Sequence, residues 1–289
     1  MIIDVQFQEN SKVFESDFSQ FVQMTDGGFD RGYAEGYETG NTEGYTKGKT
    51  DGYTQGYTEG EEIGRASFDG LASGTIVNAY SDKATRVSNY AFYTQTKLET
   101  AEFLSATSVG SNAFYGCTAL TKADFPKATT IAQNGFYGCS ALSDINFPAL
   151  VTINQHGFRN CTKLKTANMP QLDSCNYGFQ GCTALSSVYM PKLKTIGASA
   201  FNGCSALKEA DLPSATSIAY NSFINTGLVT FILRGTTVCT LAGEAFSGSP
   251  IAKGTGFVYV PDNLVEQYKT ASNWSTYAAQ IKPLSELEY

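Results

Sequence analysis

The 289-residue chain is 42% hydrophobic and carries a net charge of −7, enough apolar content for a packed core in one large unit or two smaller ones. The acidity is confined to one end: residues 1–66 hold 13 acidic and 5 basic side chains, while the remainder is close to neutral. No basic stripe is available to neutralise phosphates, which argues against nucleic acid as a partner, and no apolar run approaches the ~20 residues that span a bilayer, so no membrane insertion is expected.

At the start of the chain Ile3, Val5 and Phe7 alternate as in a strand. Residues 9–12 read as a turn, and Phe14, Phe18, Phe21 and Val22 suit either a strand or a helix. The opening residues have no basic n-region and no long h-region, so no secretory signal is expected. A head this small (1–27) cannot bury a core alone. It is expected to dock on a partner or to trimerise.

Residues 28–66 place glycine at every fourth position: Gly28, Gly32, Gly36, Gly40, Gly44, Gly48, Gly52, Gly56, Gly60 and Gly64. Tyrosine follows five of them, at Tyr33, Tyr37, Tyr45, Tyr53 and Tyr57. Positions i and i+4 share a helix face, but ten glycines cost ~10 kcal/mol against alanine in helix interiors. Close packing of two or three such helices offsets that cost, because glycine stripes let axes approach. The expectation is a right-handed helical stalk, ~60 Å long if fully helical, that joins chains as a trimer. The alternative is a flexible Gly/Thr/Glu linker.

Residues 67–254 read as one repeat array: between Leu98 and Gly227 the chain repeats six times with a period of 21 or 22 residues, and Leu228 to Gly254 is a stretched unit. Each unit opens on leucine (Leu98, Leu120, Leu142, Leu164, Leu185, Leu207) and carries phenylalanine near its end (Phe114, Phe136, Phe158, Phe179, Phe201, Phe223). Five units place cysteine three residues later, at Cys117, Cys139, Cys161, Cys182 and Cys204. One such unit cannot bury its own apolar face, so a solenoid of stacked coils is predicted. In Leu120–Pro126, Ala123 and Phe125 are two apart, which is strand spacing, and the proline that follows ends each short strand. A second apolar point comes next (Val109, Ile131, Ile153, Ile196, Ile218), then a small residue before each Phe. Coils ~4.8 Å apart would align Phe, Leu and Cys into columns. The Cys column is expected to be buried free thiols, since strand spacing exceeds the ~3.8 Å between Cβ atoms that a disulfide prefers.

Leu71 to Lys97 keeps the apolar skeleton without Cys or Pro, as an opening cap should. The last segment, 255–289, reads as a C-terminal cap. Phe257–Val260 forms a strand, 264–271 a helix and 274–280 a second short helix, together covering the last coil.

These units resemble the BspA-type leucine-rich repeat, most plainly in "AFNGCSALKEADLP" from Ala200 to Pro213. The resemblance implies a right-handed solenoid with a parallel strand ladder on one face, and surface adhesion or ligand binding rather than chemistry. The opening "MIIDVQFQEN" together with "FVQMTDGGFDRGYAEGYETG" is similar to the start of tail-associated proteins of phages and prophages of gut Gram-positive bacteria. That second likeness implies a virion protein released by lysis, with residues 1–27 meeting other tail or baseplate proteins.

The single histidine, His156, lies five residues before Cys161, a column residue expected to be buried and inert. Acids on the strand face (Glu99, Glu102, Asp124, Asp144, Glu209, Asp211) could pair as in glycosidases, but read more simply as a solvated surface. No catalytic residue, metal site or cofactor is expected. The face expected to bind is the outward ladder Glu102, Asp124, Asn146, Asn168, Tyr189, Asp211 and Ile232, flanked by Thr100, Lys122, Asp144, Thr166, Ser187, Glu209 and Thr230. Aligned Asn, Asp and Tyr suit a hydroxyl-rich ligand, with Tyr189 as stacking platform. The reading is a non-enzymatic phage tail or baseplate adhesin that presents this face to a host-surface glycan or protein. A BspA-like bacterial surface adhesin and a purely structural tail component are the alternatives.

Overall fold

The computed structural model describes residues 76–288 and, before them, the strands Ile3–Phe7 and Phe14–Ser16. The stalk glycines Gly32, Gly36, Gly40, Gly44, Gly48, Gly52, Gly56 and Gly60, and the rest of the head, lie outside the described residues. The two early strands pair antiparallel, Val5 opposite Phe14. Ile3–Phe7 also pairs antiparallel with Ile76–Ser81, the first strand of the array. The chain thus meets its own first coil at an edge that would otherwise present unpaired N–H and C=O groups.

From Ile76 onward the chain is a parallel β-solenoid. After the six-residue opening strand Ile76–Ser81, each coil contributes a three- or four-residue strand to a first ladder; Lys122–Asp124 turns Ala123 inward, and Thr166–Asn168 turns Ala167 inward. Equivalent residues pair in register, Thr100 with Lys122 and Lys122 in turn with Asp144, and Glu102 with Asp124 and Asp124 in turn with Asn146. The period alone sets this register, because a one-residue slip would turn every apolar side chain to solvent.

The second apolar point of each unit is itself a strand. Ser108–Val109, Thr130–Ile131, Thr152–Ile153, Ser174–Cys175, Thr195–Ile196, Ser217–Ile218 and Thr240–Leu241 form one continuous seven-stranded parallel ladder. The expectation of a ladder on one face is therefore corrected to two ladders. Cys175 takes the place of Ile in the fourth of these strands and is buried.

Between the ladders, the core is built from columns. Phe92, Phe114, Phe136, Phe158, Phe179, Phe201, Phe223 and Phe246 stack nearly parallel with ring centroids 4.9–5.6 Å apart. A second stack, Phe103, Phe125 and Phe147, meets the first edge-on, the offset arrangement that ring quadrupoles favour. Met169, Met190 and Leu212 continue it. Each column cysteine is free and buried. Its Sγ donates to the carbonyl of a Phe one coil earlier, Cys117 to Phe92 at 2.9 Å and Cys139 to Phe114 at 3.0 Å.

Local backbone rules explain two further columns. Asn112, Asn134, His156, Tyr177, Ser199 and Asn221 all sit at φ between 49° and 64°, a region Asn tolerates better than most residues. The small residue before Phe is required by space: a Cβ on Gly135 would lie 2.6 Å from Ile131 Cγ2, and one on Gly157 would collide with Ile153.

At the far end Phe257–Val260 extends the first ladder, and Ile281–Pro283 adds a last parallel strand that the sequence pattern does not reveal. Between them lie the helix Val265–Thr270 and a kinked 3-10 segment, Ser275–Gln280. Trp274 is fully buried and donates from Nε1 to the Cys239 carbonyl at 2.6 Å, while Tyr268 Oη accepts the Cys239 N–H at 2.8 Å. Two aromatic polar tips thus close off backbone groups of the last coil.

Candidate functional site

The first ladder places the expected binding residues in one row. Glu102, Asp124 and Asn146 are register partners in one panel, Asn168 and Tyr189 in a second, and Asp211 pairs with Ile232 in a third. Strand pairing lapses between Asn146 and Asn168 and again between Tyr189 and Asp211. Tyr189 therefore stands on a two-stranded panel of its own.

The row is not uniform in charge or in free hydrogen-bonding capacity. Glu102 is tied to Lys122 at 2.9 Å. That hydrogen bond, assisted by the charges of Glu102, Asp124 and Asp144, holds the Lys122 ammonium above its ordinary pKa. Asn146 Nδ2 donates to Asp124 at 2.8 Å. Arg234 grips Asp211 with Nε and a terminal amine, the shortest contact 2.7 Å. The acids at both ends are thus partly neutralised, and what remains most open along the outward row is its centre: Asn168, Thr166 and Ser187 are exposed around Tyr189, which is 59% exposed, with exposed Asp144 and Glu209 in the flanking row on either side. Ile232, expected on the outward row, is instead buried. Its register neighbours are Tyr259 and Asp211, the latter drawn into the Arg234 pair, and these flank the side chain.

His156 does not meet a nucleophile. Its ring lies 4.8 Å from that of Tyr177, and burial, then the Arg159 charge, lowers its pKa. Cys161 donates its thiol proton to the Phe136 carbonyl at 3.2 Å, and burial holds it protonated well above the ordinary thiol range. A thiol in that state is neither a nucleophile nor a metal ligand. Among the described residues no group of His, Cys, Asp or Glu is placed to hold a metal ion, and no helix is long and apolar enough to cross a membrane.

A feature that sequence reasoning missed lies on the second ladder. An open groove of about 690 Å³ runs along it, lined by uncharged side chains, with Gln133, Thr152, Gln155 and Ser174 beside Ala132, Ile153, Cys175 and Ala198. The available signal was the one-residue shortening of the unit that contains Cys175.

The BspA type leucine-rich repeat region matches this chain in six copies, over residues 61–177 and 129–253. Among solved structures, a leucine-rich repeat protein of T. pallidum is 19% identical, covering 68% of this chain and 89% of its own, with a TM-score of 0.50. A leucine-rich cell surface protein of Faecalibacterium prausnitzii A2-165 is 18% identical over 64% of this chain and 71% of its own, TM-score 0.39. A leucine-rich repeat protein of Bacteroides ovatus is 20% identical over 72% and 66%, TM-score 0.38. No match is found among curated proteins.

Proposed function

Because the chain belongs to the BspA-type leucine-rich repeat family, we propose that it is a non-enzymatic adhesin whose first ladder binds a glycan or protein on a host surface. The observation that carries this reading is the centre of that face. An exposed tyrosine ring stands beside an exposed amide and two exposed hydroxyl residues; Glu102 and Asp211 are held in ion pairs at the ends, and exposed Asp144 and Glu209 flank the centre. A flat aromatic surface rimmed by neutral donors and acceptors suits hydroxyl-rich ligands. The candidate contacts are Asn146, Asn168 and Tyr189, with Glu102, Asp124 and Asp211 as the charged margins.

A tail or baseplate setting is a second reading, which rests on the opening residues alone, outside the part of the chain that the family match covers. There the glycine segment would join three chains and the head would meet neighbouring tail proteins in the virion. Mass measurement of the full chain in solution tests it, and a monomer removes the stalk-joined trimer. For the main reading, the test is a glycan array probed with the full chain and with Tyr189→Ala. The expected result is retention of a defined glycan set by the native protein and its loss in the variant. Equal retention by both removes Tyr189 from the site.

A further inference from the structure

The coil from Cys161 to Cys182 has 21 residues where its neighbours have 22, and the missing residue falls in the turn after the second ladder. Adjacent coils read Asn154-Gln155-His156 and Gly197-Ala198-Ser199, but this one passes directly from Asn176 to Tyr177. The row that carries Gln133 and Gln155 is therefore vacant here, and the next coil offers only Ala198. This notch belongs to the groove that runs from Ser111 to Ala198. At ~4.8 Å per coil that is roughly 20 Å, long enough for several units of a polymer.

The chemistry of the groove is specific. Its floor carries the hydroxyls of Thr152, Ser174 and Thr195, its margin carries amides, and no charged side chain lines it. Asn176, in the lining, has its Oδ1 buried with no hydrogen-bond partner, a costly state that turning the amide toward an incoming hydroxyl donor relieves. Next to the notch Tyr177 and Tyr220, two coils apart, join through their hydroxyls at 2.7 Å. They bracket Ala198: Tyr177 N–H donates to the Ala198 carbonyl, and Ser199 N–H donates to that of Tyr220. Tyr220 is 51% exposed, so ring surface is open at the turn that borders the groove at Ala198.

Each class of polymer can be set against this lining. A peptide added as a strand needs a free sheet edge, and the second ladder is continuous on both sides of the notch. A phosphate or sulfate needs cations, and none lines the groove. A sugar ring offers a C–H face to an aromatic ring and a hydroxyl rim to amides and hydroxyls, which matches what is present. We infer that this notch is a second binding site, separate from the first ladder, for a neutral carbohydrate chain lying along the stacking axis.

The test is calorimetric titration of the full chain with maltohexaose, cellohexaose and chitohexaose, at low and high salt. At least one hexasaccharide binds, with an affinity that salt leaves unchanged because no charges are engaged. Thr195→Tyr fills the groove from an exposed position. Insertion of Gln between Asn176 and Tyr177 restores the 22-residue turn. Each weakens binding by roughly tenfold or more, whereas Lys253→Ala, at an exposed residue of neither face, does not. Circular dichroism confirms that Thr195→Tyr is folded. Failure of all three sugars to bind, tight binding retained by folded Thr195→Tyr, or loss of binding in Tyr189→Ala would each overturn the inference. The last outcome assigns the sugar to the first ladder and leaves the adhesin reading standing.

Discussion

Replacing Phe158 by alanine tests whether the columns hold the array together. The ring is fully buried, stacked at 5.3 Å on Phe136 and at 5.5 Å on Phe179, and meets Phe147 edge-on at 5.6 Å. Truncation empties a site whose neighbours are fixed by the coils above and below, so little collapse is available to fill it. The cost is about 3–5 kcal/mol, of which each lost ring pair supplies ~0.5–1.5 kcal/mol beyond its area. For a unit of this size that lowers the melting temperature by roughly 6–20 °C. A solenoid is coupled only between nearest neighbours, so a break at its middle should also broaden the urea transition or divide it in two. The Cys182 thiol bonds the Phe158 backbone carbonyl, which the substitution keeps, so the loss reports packing alone. Urea and thermal unfolding of both proteins provide the measurement. A loss under about 1 kcal/mol with an unchanged slope would refute the stacked-column account.

Other consequences follow from single contacts. Trp274→Ala should cost about 3–5 kcal/mol and expose the end of the last coil, so light scattering should report self-association. Trp274→Phe should cost about 1–3 kcal/mol, because the Cys239 carbonyl is left without its donor. Asn134→Val should cost about 1–2 kcal/mol in urea titration, since a β-branched residue resists the φ of 57° there, and the variant also loses the 3.0 Å bond from Asn134 to Asn112. Native thiols should resist Ellman's reagent at pH 8 and react only on unfolding. Burial pushes Cys175 and Cys239 up to about 12, whereas an unfolded thiol ionises near pH 8.5. Above that pH the unfolded chain binds fewer protons than the native one, so the contribution is full below about pH 8.5 and falls between there and about 12. Stability that holds constant through this window in urea titrations would contradict the burial of these thiols.

The solenoid was legible because its cause is periodic. Leu, Phe and Cys recur at a spacing that only stacked coils can bury, and Pro punctuates the strands. The second ladder was half legible: its Ile and Val points stood out, but a two-residue strand shows no alternation, and its pairing comes from a coil 21 or 22 residues away. Cys175 was missed as a core member of that ladder because its unit is one residue short, which hid the alignment with Ile153 and Ile196. The row of Glu102, Asp124, Asn146, Asn168, Tyr189 and Asp211 followed from strand parity. Its electrostatics did not, since Lys122 and Arg234 reach acids 20 and 23 residues earlier. Ile232 illustrates the limit of parity: alternation assigns a face, but neighbouring long side chains decide exposure. The groove at Asn176 arises from a deletion, and a repeat pattern read for what recurs passes over what is missing.

The most direct measurement for the adhesin reading is an NMR titration of the isotope-labelled full chain with the tightest ligand returned by the array. Shift changes centred on Thr166, Asn168, Ser187 and Tyr189, fading toward the Glu102 and Asp211 ion pairs, are the predicted result. Changes confined to any other surface, with these four residues silent, would contradict it.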